Sequence, residues 1–292
     1  MPRHALKLMF AVWLCLTLSL TLTTPKLHAQ GTLTSLDFPN ATETDCNDVN
    51  INGVIVGFYI DSSGVDHGFT RIDAVLSSVD VPGAQETLLY GVNLSHAVGW
   101  YVDSTGITHG FSIDTKNNVT TIDPPGATLT NAWSINASEE IVGAYTDSSG
   151  VYHGFLLSNG KYTSYDAPNG AILTEITGIN DAGDIVGIFD DSKGAEHGFA
   201  LVKGKFTQID YPANGVTVTA TDRVNDSGEI VGLYGSSTSG PFSGYDAKNG
   251  VFSTIMFPGS TETRVRGVNN KGVVVGRYTD QNGVIHGMYG VP

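Results

Sequence analysis

The chain has 292 residues, with 36 Gly, 11 Pro, 2 Cys, 40% apolar residues and only 15% charged ones. Gly and Pro together fall short of the ~25–30% that marks low-complexity disorder, and the apolar share is ample for a core. A formal charge of −14 opposes binding to nucleic acid or insertion at anionic lipid, both of which need positive charge to displace counterions. Most of the acids are Asp, which favours turns and caps where Glu favours helices, so composition points to strands joined by tight turns.

Residues 1–29 read as an export signal. Arg3 and Lys7 precede an apolar run over 8–22, and TTPKLHA follows, ending in Ala29. The run is shorter than the ~20 residues of a membrane-spanning helix. Cleavage after Ala29 would leave Gln30 first. It would remove three basic residues and no acid, taking the formal charge from −14 to −17. Only Cys46 would remain, so no internal disulfide could form, and Cys46 is expected to be buried. The expected location is extracellular or periplasmic.

From residue 30 to 292 the chain repeats itself, in six copies of roughly 44 residues. An Asn following a β-branched residue recurs at Asn50, Asn93, Asn136, Asn180, Asn225 and Asn269. A Val-Gly pair ends at Gly57, Gly99, Gly143, Gly187, Gly232 and Gly276, and a Pro falls at Pro39, Pro82, Pro125, Pro168, Pro212 and Pro258. A His-Gly pair falls at His67, His109, His153, His197 and His286, with Ser243 in its place in the fifth copy.

Each copy reads as four short strands, a to d. In one copy these are 171–180, 184–190, 195–202 and 205–212, separated by the turn compositions NDAG, DDSKG and VKG. No segment sustains a helical period. Four strands at this repeat length are the signature of a propeller blade. The repeat region opens on TLTSLDFP (32–39), a lone strand d, and ends on VIHGMYGVP (284–292), a strand c. The expected fold is therefore all-β: a six-bladed β-propeller of four-stranded blades, closed by the N-terminal strand joining the last blade. An open solenoid would need distinct polar caps, and the sequence offers none.

The b–c turns read DSSG, DSTG, DSSG, DSKG and DQNG, suited to a type I turn followed by a left-handed Gly. That register sets Gly57 across from Phe69, and the equivalent Gly across from Phe111, Phe155, Phe199, Tyr245 and Met288. The expectation is that the Gly makes room for a ring. Each His lies six residues after a turn Asp, as in Asp61 and His67, and the fifth copy loses both to Ser236 and Ser243. Two readings stand: the side chains meet diagonally across the hairpin, or the Asp merely starts an Asx-turn. Asp37, Asp80, Asp123, Asp166 and Asp210, all in one register before the strand-d Pro, look structural.

No GxSxG, HExxH, P-loop or CxxC motif occurs. The Asp-rich turns lack the alternating oxygens and distal Glu of a calcium loop. No catalytic residue, metal ligand or cofactor is expected. A site usually breaks the symmetry of a repeat, which makes the non-repeated Tyr90, Trp100, Trp133, Arg223, Arg264, Arg266 and Arg277 the functional candidates.

The repeated INxxGxIVGxYxDSSGxxHGF, followed by FTxIDxPGAxxT, resembles the bacterial family of predicted extracellular HAF repeats over residues 31–292. The resemblance implies export and a repeat scaffold, with no catalytic residues to carry over. The expected function is a secreted, monomeric, non-catalytic scaffold for binding or interaction, with carbohydrate or another cell-surface ligand as partner. The alternative is a secreted hydrolase or lyase with its active site on the propeller axis. An enzyme should show clustered, non-repeated carboxylates or Arg in a funnel; a binding module should show exposed aromatics and no such cluster.

Overall fold

The computed structural model describes residues 26–27, 31–168 and 170–292. The expected export signal lies outside these residues, apart from the backbone of β1 (Lys26–Leu27), which runs parallel to a strand of the fifth repeat. All regular structure among the described residues is β. After β2 (Leu33–Leu36), the first repeat forms β3 (Glu43–Val49), β4 (Ile55–Ile60), β5 (Asp66–Ile72) and β6 (Val75–Val79). The second forms β7 (Glu86–Val92), β8 (His96–Val102), β9 (Thr108–Asp114) and β10 (Val119–Ile122), and the third β11 (Leu129–Ile135), β12 (Ile141–Thr146), β13 (Tyr152–Ser158) and β14 (Lys161–Tyr165). The fourth forms β15 (Leu173–Ile179), β16 (Ile185–Asp190), β17 (Glu196–Val202) and β18 (Lys205–Ile209). The fifth forms β19 (Val218–Val224), β20 (Ile230–Gly235), β21 (Ser243–Lys248) and β22 (Val251–Ile255). The sixth has β23 (Glu262–Val268), β24 (Val274–Thr279) and β25 (Ile285–Gly290), and β2 pairs antiparallel with β25, Leu33 opposite Gly290.

Each repeat is thus an antiparallel four-stranded sheet. The third, fourth and fifth are linked by single parallel bridges, Tyr152 to Leu173 and Glu196 to Val218; none of the described sheets closes on itself. The first strands of the repeats, β3, β7, β11, β15, β19 and β23, pack each against the next, and β23 also packs against β3. Hydrophobic clusters lie between successive sheets. Val56 joins Leu89 and Phe111, Val142 joins Ile176 and Phe199, and Val275 with Leu36 joins Cys46 and Phe69. Cys46 is fully buried, as expected.

The b–c hairpins have the expected register. Gly57 faces Phe69, Tyr59 faces His67, and Asp61 N–H donates to Val65 O at 3.0 Å, with Gly64 in the left-handed region at φ +83°. Phe69, Phe111, Phe155, Phe199, Tyr245 and Met288 are all fully buried. The ring is only part of why a Gly faces it. A Cβ on Gly143 would come within 2.7 Å of Phe155 Cε1 but within 2.0 Å of the Asn131 carbonyl oxygen on strand a. The tighter constraint is the close approach of the first strand's backbone.

A further repeated contact ties each strand d to the next strand a. Thr44 Oγ1 accepts from Phe38 N–H, Thr87 from Val81, Thr174 from Ala167 and Thr219 from Tyr211, all at 3.0 Å. Thr130 Oγ1 has no partner, because the residue whose N–H should reach it is Pro124, which has none.

Candidate functional site

Every first strand carries a bulge. Pairing with the second strand skips one residue per repeat: Asn47, Tyr90, Trp133, Thr177, Asp222 and Arg266. A bulge leaves its extra residue unpaired and re-aims its side chain. All six bulged residues line one cavity of about 240 Å³, with Glu175, Glu196, Phe242 and Arg264 on its wall. The six are all different, so the repeat loses its symmetry at the position the backbone presents to the cavity.

Arg223 follows the bulge at Asp222, where the other repeats carry Asp48, Gly91, Ser134, Gly178 and Gly267. It is 6% exposed. Its Nη1 donates to the Thr177 carbonyl and, at 2.9 Å, to that of Asp222; its Nη2 donates to Tyr90 O and, at 2.7 Å, to Trp133 O. Its Nε lies 3.7 Å from Asp48 Oδ2. The guanidinium therefore cross-ties five repeats through backbone carbonyls and one carboxylate. Burial raises the Asp48 pKa while the charge of Arg223 and the N–H groups of Val92 and Val49 hold it back.

Arg223 also lines a second cavity, of about 430 Å³, where the six repeated Asn gather. Each Asn closes its own a–b turn and reaches the next repeat. Asn50 Oδ1 accepts from the N–H groups of Asn52 and Val54, and its Nδ2 donates to Asn93 O at 2.9 Å. The same step runs from Asn93 to Asn136, Asn136 to Asn180, Asn180 to Asn225 and Asn225 to Asn269. From Asn269 Nδ2 it returns to Asn50 O at 3.0 Å.

In the smaller cavity the charges divide unevenly. Arg266 Nη1 lies 3.1 Å from Asp222 Oδ1. Arg264 Nε donates to Glu262 Oε1 at 2.6 Å, with its guanidinium 4.6 Å over the Phe242 ring. Burial lowers the Arg264 pKa, aided by the charges of Arg277 and Arg266 and opposed by Glu262. Burial, then the charges of Glu196, Asp190 and Asp222, push the Glu175 carboxyl up to about 7. Glu196 is also raised, by burial and then Asp190 and Asp222, with Arg264 and Arg266 pulling the other way. Tyr90 and Trp133 meet edge to face, their ring centroids 4.4 Å apart.

Of the candidates from the sequence, Tyr90, Trp133, Arg223, Arg264 and Arg266 come together here. Trp100 stacks behind Tyr90 at 6.4 Å without lining the cavity. Arg277 stands apart, bound to Glu43 at 2.8 Å and Asp45 at 3.4 Å. Asn47, Thr177, Asp222, Glu175 and Glu196 were missed. The first three could have been found by one rule: the bulged residue is always the third before the repeated Asn.

The repeated His residues serve a different purpose. His67 Nδ1 bonds Asp80 Oδ1 at 2.8 Å, while its Nε2 lies 3.6 Å from Asp61 Oδ2. Asp61 Oδ1 also accepts from the N–H groups of Ser63 and Val65, so the diagonal pair and the Asx-turn coexist. Neither reading of the turn Asp included the second carboxylate that each His meets. The shorter contact goes to the strand-d Asp in all five copies: Asp80, Asp123, Asp166, Asp210 and Asp37. The fifth copy replaces all three members, with Ser236, Ser243 and Met256.

No protein-family profile matches the chain, and no curated protein does. Solved structures match over most of its length. AofleA from Arthrobotrys oligospora is 12% identical at a TM-score of 0.57, over 89% of this chain and 85% of that one. The SapL1 lectin, solved with α-methyl fucoside, is 13% identical at 0.56, over 85% and 92%. An Aleuria aurantia lectin mutant, solved with Fucα1-6GlcNAc, is 11% identical at 0.52, over 85% and 96%. At these identities the likeness shows the fold alone: this is an all-β chain whose structural neighbours are β-propellers.

Proposed function

We propose that this chain is a secreted, monomeric, six-bladed β-propeller of the HAF-repeat kind that binds carbohydrate in the cavity of the bulged residues. The observation that carries the reading is the convergence of six different bulged residues on one cavity, in a chain that otherwise repeats. Support for a closed ring comes from β2 pairing with β25 and from the Asn269 bond back to Asn50. Support for a sugar comes from the lectins among the neighbours and from a cavity that sets Tyr90 and Trp133 beside carboxylates and guanidiniums. Aromatic faces cover the apolar side of a sugar ring while charged groups bond its hydroxyls. At about 240 Å³ the cavity is below the ~300–1,000 Å³ of drug-sized sites, which suits a single ring.

A glycan array tests this directly. The chain should bind a discrete set of glycans, and Trp133→Ala should weaken that binding by about tenfold or more. A blank array, or a variant that binds like the parent, overturns the reading. Export is tested separately by sequencing the N-terminus of the protein recovered outside the cell, which should begin at Gln30.

One observation favours a second reading, a secreted glycoside hydrolase or lyase. Glu175, pushed up to about 7, is suited to act as a general acid. That reading requires the array-positive glycan to be cleaved on incubation and Glu175→Gln to stop cleavage while binding persists.

A further inference from the structure

Charge in the cavity is left tilted towards acid once each guanidinium is set against one carboxylate. Each guanidinium has one carboxylate beside it, Arg266 that of Asp222, Arg264 that of Glu262 and Arg223 that of Asp48, while the Nε of Arg266 and Arg223 and Trp133 Nε1 find no hydrogen-bond acceptor. Among the described residues, no hydrogen bond or ion pair matches Glu175 or Glu196. Two deeper acceptors on the same wall are also unpartnered. Asn47 is 1% exposed, and its Nδ2 donates to Leu89 O at 2.8 Å, leaving Oδ1 with no partner. Asp222 is 8% exposed and bonds Arg266 through Oδ1, leaving Oδ2 with none. Buried acceptors without a donor are costly, and a ligand that supplies donors recovers that cost on binding.

We infer that the cavity takes a ligand bearing a protonated amine, of the class of an amino sugar with a free amino group. The inference rests on the carbohydrate reading for the sugar ring and on the unmatched acceptors for the amine. An ammonium group supplies three donors and the positive charge that Glu175 and Glu196 lack, while the hydroxyls of the sugar can accept from the N–H groups left over. The edge-to-face pair of Tyr90 and Trp133 adds an aromatic face for the cation. A uronate would instead meet Glu175 and Glu196 as like charges and find each guanidinium already beside a carboxylate. An N-acetylated sugar would bring no charge.

Calorimetric titration near neutral pH, where Glu175, at about 7, is partly ionised and the amine of glucosamine is still largely protonated, tests the inference. The ligands are glucosamine, glucose, N-acetylglucosamine and glucuronate, with cyclohexylamine and cyclohexanol as a sugar-free pair. Glucosamine should bind roughly tenfold or more tightly than the other three sugars, and cyclohexylamine should bind more tightly than cyclohexanol. The double variant Glu175→Gln, Glu196→Gln keeps side-chain volume and should erase both preferences. If glucose and glucosamine bind alike, or if the preference survives in the double variant, the amine inference fails while the carbohydrate reading stands. If all sugars are silent but cyclohexylamine still outbinds cyclohexanol, the carbohydrate reading fails and the amine inference stands. If nothing binds, both fail.

Discussion

His67, His109 and His153 each sit between two carboxylates, and their pKa is the balance of opposed effects. Burial favours the neutral ring, but the hydrogen bond and charge of the strand-d Asp, reinforced by the turn Asp, outweigh it and raise the pKa. A raised folded-state value means that the imidazolium stabilises the fold below the ordinary His range and that this contribution is lost as pH rises through the raised value. The turn carboxylates act in the opposite sense. Backbone N–H groups, Val65 for Asp61 and Ile107 for Asp103, favour their charged forms; Asp61 is lowered and Asp103 falls to about 2. Their contribution is present above the ordinary carboxylate range and lost as pH falls towards those lowered values. NMR titration should therefore find His67, His109 and His153 above the ordinary His value, with stability falling through that window. Ordinary values at all three would refute the network. The sequence set each of these His six residues after a turn Asp and left open whether the two side chains meet. It could not reveal that a strand-d Asp, thirteen or fourteen residues away, lies closer in space, because that depends on how strands c and d are paired.

The bulged first strand is the element that gives this fold a site. The four-strand rhythm, the b–c turns and the Gly-to-ring pairing were legible because each is a local pattern repeated several times. The bulge was not, since it adds no residue type of its own and shows only as a one-residue slip in pairing, as between Ala132 and Ser134. The repeated Asn had no assigned role in the sequence for the same reason: its Nδ2 partner lies one whole repeat further on. Arg223 shows what the bulges depend on. It donates to the carbonyls of four first strands and pairs with Asp48, itself 8% exposed. Replacing it with Met should leave Asp48 a buried, uncompensated charge and those carbonyls without a donor. The expected cost is about 3–5 kcal/mol, measured by denaturant unfolding, with most of it recovered when Asp48→Asn is added. A loss below about 1 kcal/mol would show that the cross-tie is dispensable.

Across the whole molecule, two features join the ends of the described chain. β2 completes the sheet of the sixth repeat, where Asp37 meets His286 at 2.8 Å, and the Asn chain returns from Asn269 to Asn50. The first strand of every repeat contributes its bulged residue to the smaller cavity. The cavity has the clustered, non-repeated charges expected of an enzyme, and its aromatics, Tyr90 and Trp133, lie half-buried among those charges rather than exposed as expected of a binding module. A crystal structure of the protein grown with an array-positive glycan tests the central claim most directly. A sugar ring is expected within the cavity, against Tyr90 and Trp133 and within hydrogen-bonding distance of Glu175, Asn47 or Asp222. A glycan bound instead on the outer face or between neighbouring sheets, with that cavity unchanged, would contradict it.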